Sequence, residues 1–242
     1  MRKIIFPIFV LMSFVSRGQE RTTYELKEIT PKSVIEKYLL AIGGVKAVNN
    51  IKDFTMEIEG EVQGQTMNML MQKKMPNKLF TLVNLDNMGE INKTIFNGSK
   101  ASVNTIGQAE QIVEGEDAKV FLTQSSIVGE IEYLADTSYK MTFIGKETID
   151  SIDCNVVKIK NGVVEVIEFY DINSGLKIRQ KSEIESPMGK TSVVIDFKDY
   201  KTVSDIKFPH LLKQDMGVIV LDLKVKAIKI NQNLDDSIFE VK

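Results

Sequence analysis

Phe54-Thr55-Met56-Glu57-Ile58-Glu59 is followed, past a glycine at position 64, by Met67-Asn68-Met69-Leu70-Met71. Apolar and polar residues alternate in both stretches, the period of a strand with one buried face. If the two pair as a hairpin around Gly64, then Phe54, Met56, Ile58, Met67, Met69 and Met71 share that face. Before Asp53 the period is helical. Thr30 can cap a helix and Pro31 suits its first turn. Val34, Ile35, Tyr38, Leu39 and Ile42 then recur on one face, and Gly43-Gly44 ends the run. A further helical turn over 45–50 is expected.

Downstream, strands are expected at 79–83, 91–96 and 101–106, the last entered through the tight-turn pair Asn97-Gly98. Residues 115–136 break the alternation. Ala118, Phe121 and Leu122, and then Ile127, Ile131 and Leu134, have helical spacing, so one or two helices are expected between strands. Alternation resumes through 141–147, 154–160, 163–170, 176–185, 190–197, 206–213 and 218–230. The separators are turn-like: Asn161-Gly162, Asn173-Ser174-Gly175, Pro187-Met188-Gly189 and Met216-Gly217. About eleven or twelve strands joined by short turns make an antiparallel meander, because parallel strands need long crossovers. The expected class is mainly β (α+β), one strongly curved sheet forming a barrel or open barrel. No linker or internal repeat divides residues 31–242, which are expected to form one domain.

The first 18 residues have the form of a secretory signal. Arg2 and Lys3 precede an apolar run from Ile4 to Val15, and Ser16 and Gly18 occupy the small-residue positions of a cleavage site. The run is shorter than the roughly 20 residues a membrane span needs. No cysteine follows it, so N-terminal lipidation is not expected. The protein is expected in the periplasm, beginning near Gln19, with 19–30 loosely ordered. The chain carries 31 basic and 33 acidic side chains. Losing Arg2, Lys3 and Arg17 would leave it more acidic, a poor match to nucleic acid, whose affinity rests on neutralising phosphates.

Missing residue types exclude several chemistries. There is one histidine, His210, and one cysteine, Cys154. A zinc site needs three or four ligands, so no metal centre is expected. Neither a nucleophile elbow nor a phosphate-cradling glycine loop is present. His210 is expected to be structural and Cys154 to be a buried apolar residue. Glu57, Glu59 and Glu61 are read as a solvated strand face and Asp235-Asp236 as a polar loop. No catalytic residue and no cofactor are expected. What the chain does have is methionine, eleven residues of which only Met1 and Met12 precede position 19. Flexible thioethers suit surfaces that accept variable apolar shapes. A sheet too curved to fill itself leaves a cavity suited to acyl chains.

Six stretches carry a resemblance: Val34-Ile-Glu-Lys-Tyr-Leu-Leu-Ala-Ile-Gly-Gly44, Lys74-Met-Pro-Asn-Lys-Leu-Phe80, Phe96-Asn-Gly-Ser-Lys-Ala101, Phe169-Tyr-Asp-Ile-Asn-Ser-Gly-Leu-Lys177, Asp199-Tyr-Lys-Thr-Val-Ser-Asp-Ile-Lys-Phe-Pro209 and Leu234-Asp-Asp-Ser-Ile-Phe239. In that order and spacing the chain resembles the LolA-like group of outer-membrane lipoprotein-sorting proteins, most of all its Bacteroidetes-type periplasmic relatives. The resemblance implies an unclosed antiparallel barrel with helices across its mouth as a lid. It also implies a periplasmic carrier or chaperone, not an enzyme, that holds lipid or lipoprotein acyl chains between barrel and lid. Phe54, Met56, Ile58, Met67, Met69, Met71, Leu79 and Phe80 would line the cavity. The lid would come from residues 34–42 and 115–134, with Lys74, Met75, Leu39 and Phe121 at the lid–barrel contact. Relatives often carry a basic residue directly before the proline, where this chain has Met75 with Lys73 and Lys74 upstream. Implied partners are lipid or acylated lipoprotein cargo and an envelope membrane protein as donor or acceptor, with the carrier itself a monomer. Similar sequences also occur as tails of insulinase-type peptidases. This leaves open a non-catalytic accessory or signalling module that binds a protein partner.

Overall fold

The computed structural model describes residues 28–162, 164–186, 189–217 and 219–241. The signal segment 1–18 and most of 19–30 lie outside the described residues, as do Pro187 and Met188 of one expected turn. Helix α1 (Pro31–Ile42) opens with a reciprocal cap: the Ser33 amide donates to Thr30 Oγ1 at 3.1 Å and the Thr30 amide to Ser33 Oγ at 3.1 Å. Its buried residues are the five apolar positions of the sequence pattern. The helix stops at Gly43, whose φ of 134° lies in the left-handed half of the map. A side chain there would be driven into the Asp205 carbonyl, 2.3 Å from an added Cβ. Helix α2 (Val45–Asn49) follows at once.

The strands are β1 (Asp53–Val62), β2 (Gln65–Lys74), β3 (Lys78–Leu85), β4 (Gly89–Phe96), β5 (Ala101–Thr105) and β6 (Gln111–Val113). Helices α3 (Lys119–Ser125) and α4 (Gly129–Ala135) come next. The chain then continues through β7 (Lys140–Ile149), β8 (Ile152–Asn161), β9 (Val164–Asp171), β10 (Lys177–Ser186), β11 (Gly189–Val203), β12 (Ile206–Asp215) and β13 (Val220–Ile230), and ends in a 3-10 turn, Asp236–Phe239. All thirteen strands form one antiparallel sheet ordered β6-β5-β4-β3-β2-β1-β13-β12-β11-β10-β9-β8-β7. The sheet does not close. Its edges, β6 and β7, are consecutive in sequence, and the chain between them carries α3 and α4 from one edge to the other. Register shifts between β1 and β13, β3 and β4, β7 and β8, and β9 and β10 add local bend and twist.

Thirteen strands stand against the expected eleven or twelve, and one expected strand runs longer than its alternation suggests. The short edge strand β6, with only three residues, has too little length to show a period. Strand β11 extends to Val203, past a left-handed Asp199 (φ 54°) that interrupts its alternation. The β1–β2 hairpin turns on Gln63 and Gly64, both left-handed (φ 51° and 77°), as a two-residue hairpin loop requires.

Candidate functional site

Pairing register brings the alternating residues of the opening motif together. Met56 lies opposite Met71, Ile58 opposite Met69 and Gly60 opposite Met67. Leu79 on β3 continues the row of Phe54 and Lys73. Because successive side chains in a strand point to opposite faces, Leu79 and Phe80 cannot both face inward. Phe80 stands in the row of Gln72 and Ile95, on the outer face, and departs from the expected lining set. The 3-10 turn lies against β3 and β4 on that outer side.

The inner face is apolar but unevenly filled. Toward the lid, Phe54 packs with Ile51, Ile206 and Phe208, its ring centroid 5.3 Å from that of Phe208. Leu79, Phe96 and Ala101 pack with Ala118, Met71 and Phe121. Farther along, Ile58, Met67, Leu221, Leu223 and Val225 form a cluster with Met56, Met69, Val83, Leu212 and Ile228 at its margin. The marginal residues are only half-buried, and no helical residue belongs to this cluster. The helices therefore cover one part of the concave face, and large apolar side chains of the rest remain accessible.

Lid and barrel meet at several points. Phe121 of α3 stacks on Phe96 with centroids 5.8 Å apart, and Leu39 of α1 is fully buried in the largest cluster. Met75 joins Val48, Ile51, Ser126, Ile127, Val128, Ile131 and Glu132 around a cavity of about 150 Å³. The ammonium contact expected of Lys74 belongs to its neighbour Lys73. Lys73 points inward, and its Nζ donates to Ser126 O, between α3 and α4, at 2.5 Å. Burial lowers the Lys73 pKa to about 8, against the pull of Glu132. Lys74 points outward, donating to Leu234 O at 2.7 Å and pairing with Asp236 at 2.9 Å.

A second constellation was not expected. Glu130 of α4 and Glu168 of β9, 2% and 0% exposed, share Lys177 of β10, whose Nζ lies 2.7 Å from Glu130 Oε1 and 3.0 Å from Glu168 Oε1. The Tyr170 hydroxyl donates to Glu168 Oε2, with Glu130 Oε1 3.2 Å away. Tyr38 of α1 and Phe197 place their rings 5.6 Å and 5.3 Å from the ammonium. Burial raises the Glu168 pKa, Lys177 opposes the rise and Glu130 adds to it. Burial disfavours the Lys177 charge, but Glu130 and Glu168 outweigh it and hold its pKa well above the usual range. The cluster ties α1 and α4 to β9 and β10. One signal for it stands in the sequence, since Glu168 falls between Val166 and Tyr170 on the inward register of β9. Glu130 has no such signal, because its partners come from distant strands.

The remaining candidates have structural surroundings. Glu57 and Glu59 face outward and pair with Lys229 and Lys226 at 2.9 Å and 3.3 Å. Asp235 caps the final turn through the Ser237 amide. Cys154 is fully buried with Ile149, Val156 and Phe169, and burial lifts its thiol pKa to about 11. His210 Nδ1 lies 3.0 Å from Phe208 O. Among the described residues no group of three or more His, Cys, Asp or Glu is placed to hold a metal ion. No helix among them is long and apolar enough to cross a membrane.

The sequence matches no protein-family model and no curated protein. Solved structures do match. A LolA superfamily protein of Nitrosomonas europaea is 12% identical, with 88% of this chain and 99% of that one covered at a TM-score of 0.58. A DUF1329 family protein of Desulfovibrio piger is 12% identical, with 86% and 96% covered at a TM-score of 0.54. At such identity the likeness is one of architecture: an unclosed antiparallel sheet with helices laid across its concave side, the LolA-like fold.

Proposed function

We propose that the protein is a periplasmic carrier or chaperone that holds the apolar part of a lipid or acylated lipoprotein in the concave face of its sheet. The observation that carries this reading is the pair of half-buried cross-strand partners Met56–Met71 and Met69–Val83 beside the filled cluster of Ile58 and Leu223. In a filled barrel these inward side chains would be buried by one another. Left partly open, they offer a binding surface whose methionines adapt to chains of different shape. Phe54, Ile58, Met67 and Leu79 form its floor, and α1, α3 and α4 its cover. The leader-like residues 1–18 support export, and the LolA-like fold supports carriage rather than catalysis. The cargo would arrive from one envelope membrane protein and leave to another, with the carrier a monomer between them.

The test is to purify the protein from the cell envelope without detergent and extract what travels with it. Mass spectrometry is expected to find acyl-chain lipids or a lipid-modified protein near one per chain. A stoichiometric, unacylated protein partner, with no lipid, would favour a signalling module instead.

A further inference from the structure

The concave face changes chemistry across the sheet. One row of paired residues runs Val225, Ile58, Met69, Val83, Asn92, Thr105 across β13, β1, β2, β3, β4 and β5. The next runs Ile228, Met56, Met71, Thr81, Thr94, Val103 and ends at Gln111 on β6. Cross-strand partners point to the same side, so these hydroxyls and amides face the same hollow as the methionines. Asn92 Nδ2 donates to Thr105 Oγ1 at 3.1 Å, and Thr94 Oγ1 approaches Asn92 Oδ1 at 3.5 Å, which fixes the amide's orientation. Thr81, Asn92 and Thr105 are half-buried, accessible as Met69 is.

Charge is nearly missing from this surface. Among the described residues of β1–β5 and β13, Lys73 is the one charged side chain on the inward register. Its ammonium is already engaged by Ser126 O, beside Glu132. His210 faces the hollow from β12. Its Nδ1 lies 3.0 Å from the Phe208 carbonyl, which can only accept, so Nδ1 is the donor of that bond and is turned to its own strand.

Resting on the carrier reading above, we infer that the cargo has an uncharged hydrogen-bonding head group, of the hydroxyl, ester or amide kind, seated at Asn92, Thr94 and Thr105. Its chain lies over Met56, Met69 and Met71. An anionic phosphate in the same place would be removed from water with no unengaged cation on the inward register of the described residues of β1–β5 and β13 to receive it, a costly transfer for an ion. A glyceryl or amide head exchanges its water hydrogen bonds for those of Asn92 and the threonines.

The test uses the neutral apolar probe N-phenyl-1-naphthylamine, displaced by 1-oleoylglycerol or by the lysophosphatidate of the same chain, below their micellar concentrations at pH 8. We expect the monoacylglycerol to displace the probe at least about tenfold better, a difference of about 1.4 kcal/mol. Asn92→Leu should weaken monoacylglycerol displacement while leaving probe affinity unchanged, a pattern that misfolding cannot give. Lysophosphatidate displacing the probe equally well or better would overturn this inference and leave the carrier reading standing. Probe and lipids all failing to bind would overturn both.

Discussion

Lys177 stands between two carboxylates that have almost no access to water, and its loss would leave both without a cation. Removing one partner of a buried ion pair costs about 3–5 kcal/mol. We expect Lys177→Met to lose stability in that range by denaturant titration. Glu168→Gln keeps the shape and removes a charge that burial disfavours, and should cost far less. The pH dependence has a definite sign. Because the folded-state pKa of Glu168 lies above its ordinary 4.5, the folded state binds the extra proton, and stability is lost as pH rises through the raised value. Glu132 shifts the same way, burial again the main cause, so the two share the slope. Denaturant midpoints measured from pH 4.5 to pH 8 should therefore fall more steeply for wild type than for Glu168→Gln. Parallel curves would show that Glu168 is not the group responsible. At this scale the sequence is partly readable. Glu168 on the register of Val166 and Tyr170 announces a buried acid, whereas Glu130 and Lys177 gain their meaning only when α4 folds over β10. Leu79 and Phe80 show the reverse: both are apolar, and strand alternation alone separates them.

The elements divide into strands that depend on pairing and helices that depend on the sheet. Helix α1 carries its own cap and stop, yet its end is placed by contact: Gly43 abuts the β11–β12 turn at Asp205. Gly43→Ala would add both a backbone clash and a φ that side-chain-bearing residues avoid, so we expect a loss of about 1–3 kcal/mol. Thermal unfolding measures it, and a wild-type midpoint would show that the turn can withdraw freely. Helices α3 and α4 are seven residues each, too short to be stable alone. Their hold on the sheet includes the Lys73–Ser126 contact and the Phe96–Phe121 stack. Lys73→Met should speed amide exchange in α3 and α4 while leaving β1 and β2 unchanged, and equal rates throughout would remove Lys73 from the lid's attachment. Strand and helix periods were legible wherever an element ran for several residues. They failed at β6, too short to show a period, and at Asp199, where a left-handed residue breaks the alternation of β11.

At the scale of the molecule, the decisive event is the pairing of β1 with β13, which joins the two halves of the meander and leaves β6 and β7 as free edges. Alternation reports which face of each strand is apolar, but it does not say which distant strand sits beside β1. That order, and the passage of α3 and α4 from edge to edge, required the structure. The consequence is a concave surface covered at one side and open at the other, with half-buried Met56 and Met69 at the margin of the open part. The most direct test replaces one of them. Met69 pairs with Ile58 and Val83 at the centre of the apolar row. Met69→Leu conserves volume and should cost under about 1.5 kcal/mol, and it is expected to take up a fluorescent fatty acid as wild type does. Met69→Glu places a charge with no partner where the chain should lie, and it is expected to keep a folded circular dichroism spectrum and lose uptake. A Met69→Glu protein that stays folded and still binds the probe with wild-type affinity would contradict the account.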